Sequence, residues 1–381
     1  MKTKVYSNSN PSFLSSLKEL KKHIDKDFQK IDFLLFSIQP EYSCNINEAV
    51  KKIFGEIDYC AFHAIDSFKD RKITRKAVTV TVFKFEKSAN IKKFWIDDIR
   101  DYENDNSVQK TAEYLNKNSK DFHIVLAGVA EEKFGTFLKD LSTNINYSPL
   151  NNIIGGISSG IDIDNELRTW QFTDNNTIKN GFLIISFENI EADINISLGF
   201  KPYGITYKIS RAEQSKLYTV DEYIKFSDIA KRLQKEIKNP DTRYLWHLPL
   251  NILDDQDGYV STLRTIERIE DDYVKLFGPV QDGQHFKLSF ATADELIDSD
   301  IKTVNELKKK MNSPDIVFNF SCVARQYVLY DKQKKEIEIY ADAFEAPLFG
   351  FFTFGEIGPD KMHKRLKLYN ETSLLIAMRE K

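Results

Sequence analysis

Residues 77–85 read AVTVTVFKF (Ala77–Phe85), and the reading of this stretch decides the fold class. Its β-branched residues alternate at period two, the pattern of a strand with one face in a core. Just upstream, Ile31–Ile38 (IDFLLFSI) is too short for a buried helix and rich in aromatics, so it reads as a second, inner strand. Between the two, the spacing predicts a short helix over Ile46–Phe54 and a strand near Asp58–Ile65. Strands therefore come in groups, with helices interspersed, and strict β–α alternation is absent. That favours an α+β fold with mixed or antiparallel sheets.

Outward from this core the pattern continues. At the N-terminal side, Asn10-Pro11 precedes Phe13, Leu14, Leu17, Leu20, Ile24 and Phe28, one apolar helical stripe, read with Asn10 as cap and Pro11 at the first helical position. At the C-terminal side, helices are expected over Val108–Lys117 and Glu131–Leu141, with the apolar run Phe122–Val129 as a strand between them. Short β runs follow at Leu167–Phe172, Phe182–Phe187, Ile194–Phe200 and Ile205–Ile209, with Asp174-Asn175-Asn176 as a hairpin tip. Asp221 reads as the cap of a helix over Glu222–Ile237, stopped by Asn239-Pro240. This stop is the clearest boundary in the chain. It divides a helical extension at 1–28 and a first domain at 29–238 from a second domain at 239–381.

The second domain opens with Leu248-Pro249-Leu250. Strands are expected at Val274–Phe277, His285–Phe290, Ile316–Val323, Ile337–Tyr340, Phe349–Phe354, Leu366–Tyr369 and Leu374–Met378, with a helix over Asp300–Met311. No period of 20–50 residues repeats, which sets solenoids and propellers aside.

Composition narrows the function. The chain has 381 residues, 41% hydrophobic and 29% charged, the profile of a folded protein. With 54 Lys+Arg against 57 Asp+Glu the net charge is −3, so phosphate neutralisation lacks its basic surplus and a nucleic-acid partner is not expected. No run of about 18 apolar residues is present, so no membrane insertion is expected. Cys44, Cys60 and Cys322 form no C-x-x-C pair, which argues for a reducing cytoplasm and against a structural zinc.

Three segments carry candidate chemistry. Gly156-Ile157-Ser158-Ser159-Gly160 matches G-x-S-x-G, but the alternating Ile161-Asp162-Ile163 that follows does not open the helix a nucleophile elbow needs. Gly155-Gly156 reads instead as a tight strand-to-strand turn, or as a nest of backbone N–H groups that would receive an anion. Phe318–Arg325 is an apolar strand ending in Cys322 and Arg325. Cysteine catalysis is not expected, because no histidine stands beside the thiol. Ala346–Pro359 sets four phenylalanines among glycines and then one carboxylate, Glu356, flanked by Gly355 and Gly358. A carboxylate among rings needs a cation or hydrogen-bond donors. Arg325 is the internal cation expected to pair with it, and a ligand ammonium is the functional alternative.

These segments resemble a known family. GFFTFGEIGP at Gly350–Pro359, FSCVAR at Phe320–Arg325, LYNETSLLIAMRE at Leu368–Glu380 and LPL at Leu248–Leu250 resemble motifs of the FIST C-terminal domain. IIGGISSG at Ile153–Gly160 and GFKPYG at Gly199–Gly204 resemble the FIST N-terminal domain. DYCAFHAIDS at Asp58–Ser67 departs from that family's first glycine-rich turn. The resemblance implies a sensory module, not an enzyme, that binds a small amino-acid-like ligand and signals through a partner protein. Motif chemistry then points to Glu356 and Arg325 for the ligand's ammonium and carboxylate. Phe351 and Phe354 would be walls, Cys322 and Gly355 rim positions, and Gly155, Gly156 and Ser158 a source of polar donors. No cofactor is expected. The alternatives are an interaction scaffold without ligand, a hydrolase or transferase using Ser158 or Cys322, and a haem-based gas sensor with His63, His123, His247 or His285 as axial ligand.

Overall fold

The structure is a computed structural model that describes all residues except 43–44, 130–132, 148–151, 163, 165, 238–241, 254–261 and 361–364. It is α+β, and one topological plan is used three times. The first unit runs β1 (Lys2–Asn8), α1 (Phe13–Asp27), β2 (Phe33–Ile38), α2 (Ile46–Phe54), β3 (Tyr59–His63), the hairpin β4 (Ser67–Lys69)–β5 (Lys72–Thr74), and β6 (Val78–Lys84). The second runs β7 (Asn90–Ile96), α3 (Ser107–Lys117), β8 (Phe122–Ala127), α4 (Phe134–Asn144), β9 (Ile153–Ile157), the hairpin β10 (Gln171–Thr173)–β11 (Asn176–Ile178), and β12 (Phe182–Glu188).

The third unit opens with β13 (Ile190–Ser197) and is interrupted by an insertion. The insertion comprises β14 (Lys201–Glu213), β15 (Lys216–Val220), β16 (Ile224–Lys225), α5 (Phe226–Ile237), β17 (Leu250–Ile252), β18 (Thr262–Arg264), β19 (Ile266–Ile269), β20 (Val274–Leu276) and β21 (His285–Phe290). The plan then resumes with α6 (Ala293–Lys310), β22 (Ile316–Cys322), α7 (Val323–Leu329), α8 (Gln333–Ala343) and β23 (Leu348–Thr353). It closes with the hairpin β24 (Glu356–Asp360)–β25 (Arg365–Tyr369) and β26 (Ser373–Glu380).

In every unit the second and third strands are parallel, and the last strand lies antiparallel between the first and second. The hairpins are exchanged cyclically. β4–β5 extends the third sheet beside β23, β10–β11 extends the first beside β3, and β24–β25 extends the second beside β9. A fourth sheet, ordered β18-β17-β21-β14-β15-β20-β19, belongs to the insertion.

The pleat explains why these strands read as unbroken apolar runs. In β2, Phe33 and Leu35 enter a core shared by all three sheets, while Leu34, Phe36 and Ile38 pack under α1 and α2. In β8, Phe122, Ile124 and Leu126 face the same shared core, and Val125 and Ala127 face α3 and α4. β22 repeats this with Ile316, Phe318 and Phe320 inward and Val317 toward α6 and α8. Both faces of each sheet are covered, so alternation is lost from the sequence.

Several expectations are corrected by this plan. The first 28 residues hold a strand, β1, paired along its length with β6, besides the expected helix. Ser12, not Asn10, caps α1, and Asn10 Oδ1 instead accepts from Ser12 N at 2.9 Å. Ile337–Tyr340 is helical, within α8. Its apparent alternation hides a helical face on which Ile337, Tyr340 and Phe344 are buried together. The helix expected from Glu222 begins at Phe226, because Asp221 and Glu222 take positive φ values of 45° and 76° in the turn after β15. The stop at Asn239-Pro240 lies outside the described residues. Strands from both sides of it share sheets: β13 pairs with β26, and β9 pairs with β24. Gly155 and Gly156 form no turn. They sit inside β9 between β8 and β24, where a Cβ on Gly155 would lie 1.8 Å from the Val125 carbonyl oxygen.

No helix among the described residues is long and apolar enough to cross a membrane.

Candidate functional site

The parallel strands β8, β9, β22 and β23 end close together, and the inserted sheet packs against that end. Hydrogen bonds between described residues fasten the insertion to the third unit's C-terminal segment. Arg264 Nη1 donates to Leu368 O at 3.2 Å, Lys367 Nζ to Thr262 Oγ1 at 3.0 Å, and Thr265 Oγ1 to Glu371 Oε1 at 3.0 Å.

Between the insertion and the three-sheet body lies a cleft of about 420 Å³. Trp246, Phe277 and Gly278 line it from the insertion; Ile157, Phe354, Leu368 and Asn370 line it from the body. Its polar wall is Glu267 and Lys275, which pair at 3.2 Å. A smaller hollow of about 40 Å³ shares Trp246, Phe277, Phe354 and Asn370 with the cleft and reaches Thr265, Cys322 and Thr353.

The residues bounding this hollow hold two buried carboxyl groups. Glu356, at the start of β24, is 0% exposed. Thr353 Oγ1 donates to its Oε1, and Thr372 N and Oγ1 donate to its Oε2 at 3.3 and 2.7 Å. Glu371, also 0% exposed, is placed by a positive φ of 59° in the turn before β26. Thr265 serves its Oε1, but its Oε2 has no partner among the described residues, and neither does Asn370 Oδ1. Burial pushes Glu356 up to about 8 against the opposing Thr353 and Thr372 donors. Burial likewise pushes Glu371 up to about 8 against the Thr265 donor, with Glu356 adding to the rise. Burial thus favours the protonated form of both.

Arg325 does not pair with Glu356. β22 ends at Cys322 and α7 begins at Val323, and the guanidinium is spent among α6, α8 and β13. Its Nη2 donates to Asp300 Oδ1 at 2.6 Å, its Nε to Glu336 Oε1 at 3.0 Å, and its Nη1 to Leu198 O at 2.7 Å. Tyr340, Ser321 and Gln326 donate to the same carboxylates. Burial opposes its charge, but Asp300 and Glu336 more than offset this and raise its pKa. Its guanidinium is thus engaged within the protein and not presented to a ligand carboxylate.

The other expected site residues separate. Phe354 is half-buried and walls both hollows, whereas Phe351 is fully buried against Phe62 and Phe320 in the shared core. Cys322 lines the small hollow at 4% exposure, and burial, with Glu356 and Glu371 nearby, holds its thiol well above the ordinary range. Gly355 makes the turn into β24, and its carbonyl accepts from Ile157 N at 2.8 Å. Ser158 is buried, with its Oγ accepting from Gln171 Nε2 at 2.8 Å and its N–H donating to Ala127 O at 2.8 Å. The amides of Gly155 and Gly156 lie within a strand flanked on both sides and form no nest. Of the histidines, His63 contacts Arg168 O through Nδ1, and His123 contacts Ser186 Oγ and Asn118 O through its two nitrogens. Burial lowers both rings to about 4. Among the described residues no group of three His, Cys, Asp or Glu could hold a metal ion.

Sequence reading missed Trp246, Phe277, Thr265, Asn370 and Glu371. The signal for the last two was Asn370-Glu371-Thr372, a polar triplet between two apolar strands, read only as part of a closing strand.

Comparison with known proteins agrees with the motifs. The FIST N domain matches residues 32–222 and the FIST C domain residues 222–359. A protein of Aquifex aeolicus (strain VF5), named only as an uncharacterized protein, is 31% identical over 268 residues. That match spans 68% of this chain and 97% of the other. A chorismatase crystal structure aligns over 100% of this chain and 99% of its own, at 8% identity and a TM-score of 0.33.

Proposed function

The chain belongs to the FIST family, sensory domains of signal transduction, and on that premise we propose that the cleft between the insertion and the three-sheet body is its ligand site. The observation that carries this is the cleft itself: about 420 Å³, walled by Trp246, Phe277, Phe354 and Leu368, with the unpartnered Asn370 Oδ1 in its lining. Concave, mainly apolar sites with a few convergent polar groups are the ordinary form of small-molecule pockets. The ligand is of amino-acid size with an apolar body. Binding reaches a partner protein through the insertion, which forms one wall and is fastened by the Thr265–Glu371 contact. The protein works in the cytoplasm and binds its ligand without turning it over.

Trp246 makes this testable by fluorescence. A panel of apolar amino acids and similarly sized amines, alcohols and acids is titrated while thermal stability and tryptophan emission are followed, with Trp246→Phe to separate its signal from Trp95 and Trp170. At least one compound is expected to change both, and Phe354→Ala weakens it at least tenfold. If none changes either, the cleft is not a ligand site.

A further inference from the structure

The chemistry beneath the cleft is asymmetric. Two carboxyl groups, Glu356 and Glu371, stand there with hydroxyl and amide donors but no cation in hydrogen-bonding contact. Arg325, expected to supply that cation, is bound to Asp300 and Glu336 instead. The hollow between Thr265, Cys322, Thr353 and Asn370, about 40 Å³, exceeds the roughly 10–15 Å³ that one water-sized group needs. Two buried acceptor atoms belonging to neighbouring residues, Glu371 Oε2 and Asn370 Oδ1, have no donor. Asn370 lines that hollow, and the two carboxyls stand directly behind its lining residues Thr265 and Thr353; once Glu371 ionises, its Oε2 and Asn370 Oδ1 both ask for a group that only donates. A primary ammonium has three donors and no acceptor.

We infer that the hollow is a binding site for a ligand's primary ammonium group, held by Glu371, Glu356 and Asn370, and that the ligand class is apolar amines, with no carboxylate required. This rests on the cleft being the ligand site and narrows what enters it. The amine's apolar body lies along Trp246, Phe277 and Phe354, and its head passes beside Asn370 into the hollow. Among the described residues lining the cleft the one cation is Lys275, and it is paired with Glu267.

The arrangement couples binding to protons. The groups facing the pair are Cys322 from β22, Arg325 from α7, Thr353 from β23, Thr372 beside β26 and Thr265 from the insertion. Glu267 and Lys275 stand farther out in the cleft. Of Cys322, Arg325 and the two carboxyls, only the carboxyls change charge between pH 5.5 and pH 8, since Cys322 is held high and Arg325 stays charged. An entering ammonium favours the ionised form and expels a proton from the pair. Affinity therefore rises with pH, close to tenfold per unit for one proton released, and levels off above about 8.

The test uses the full chain with 2-phenylethylamine, 2-phenylethanol and 3-phenylpropionate as probes, read by Trp246 fluorescence and by calorimetry in two buffers of different ionisation heat. The amine is expected to bind at least tenfold tighter than the other two, to tighten from pH 6 to pH 8, and to release about one proton at pH 7. Glu371→Gln reduces the pH dependence, Glu356→Gln/Glu371→Gln removes it, and Asn370→Ala weakens the amine alone. Should Glu371→Gln fail to fold, the wild-type pH slope and proton count still decide. If the alcohol or the acid binds as well as the amine, or binding is flat with pH, the inference is wrong while the cleft stands. If no probe perturbs Trp246, the cleft reading falls and the inference with it.

Discussion

Two buried groups of ionisable side chains flank β22, and they are built in opposite ways. On the α6–α8 side Arg325 meets Asp300 and Glu336, with Tyr340, Ser321 and Gln326 as further donors. On the cleft side Glu356 and Glu371 hydrogen-bond to no cation among the described residues, two acceptor atoms go unserved, and their neighbours Asn370, Thr265 and Thr353 line a hollow. The first region is not perfect, since Asp300 Oδ2 and Gln326 Oε1 also lack partners, but its charges are opposed pairs in a packed interior. A compensated network of that kind holds elements in register. A pair with no bonded cation, reached by Arg325 only through space, is open to completion from outside. Buried charge by itself therefore says little about function; the presence of the counter-charge decides.

The comparison breaks most visibly under core substitutions. Arg325→Met leaves Asp300 and Glu336 buried without their cation and is expected to cost about 3–5 kcal/mol in urea unfolding. Phe351→Ala removes a ring wedged between Phe62 and Phe320 and should cost a similar amount, about 3–5 kcal/mol. Losses below about 1 kcal/mol for either would mean that the network or the shared core is looser than described.

The carboxyl pair sharpens it through pH. Both groups have folded-state pKa values raised to about 8 from the ordinary glutamate value of 4.5. Their contribution to stability is therefore complete below about pH 4.5 and is lost as pH rises through 8. Across that window each carboxyl lowers stability by up to about 1.4 kcal/mol per pH unit. Asp66 and Asp300 are raised as well, to about 6 and about 7, so the readout is a difference. The double variant Glu356→Gln/Glu371→Gln is expected to flatten the wild-type slope between pH 6 and 8. An unchanged slope would assign the titration elsewhere.

The smallest expected effect is at the cleft wall. Phe354→Ala should cost about 1 kcal/mol, because the ring is only half-buried. It nonetheless weakens ligand binding more than any change in the shared core that leaves the protein folded. A stability loss as large as that of Phe351→Ala would show that Phe354 is a core residue and not a wall.

Much of the fold was legible because strand runs such as 77–85 and 31–38 carry β-branched and aromatic residues at strand length. The threefold plan was not. Its repeat is nearly a hundred residues long, the third copy is split by the 201–290 insertion, and the hairpins join neighbouring sheets, so contacts at long separation define it. Glu356 stood out because a lone carboxylate among phenylalanines is chemically odd. Its partner was misread because spacing places Arg325 near the end of β22 but does not reveal that α7 turns the guanidinium away. Gly155-Gly156 looked like a turn for a related reason. Two glycines announce a backbone without side chains, but only the sheet shows that β8 and β24 need that space on either side. Glu371 escaped notice because its burial comes from Thr265, about a hundred positions earlier in the chain.

The most direct test of the account is the ionisation of the pair itself. Carbon-13 NMR of the glutamate side-chain carboxyls, assigned with Glu356→Gln and Glu371→Gln, follows both groups from pH 4 to pH 9 with and without 2-phenylethylamine. The account predicts midpoints near 8 in the free protein and a fall of both when the amine binds. Midpoints in the ordinary carboxylate range, indifferent to the amine, would contradict it.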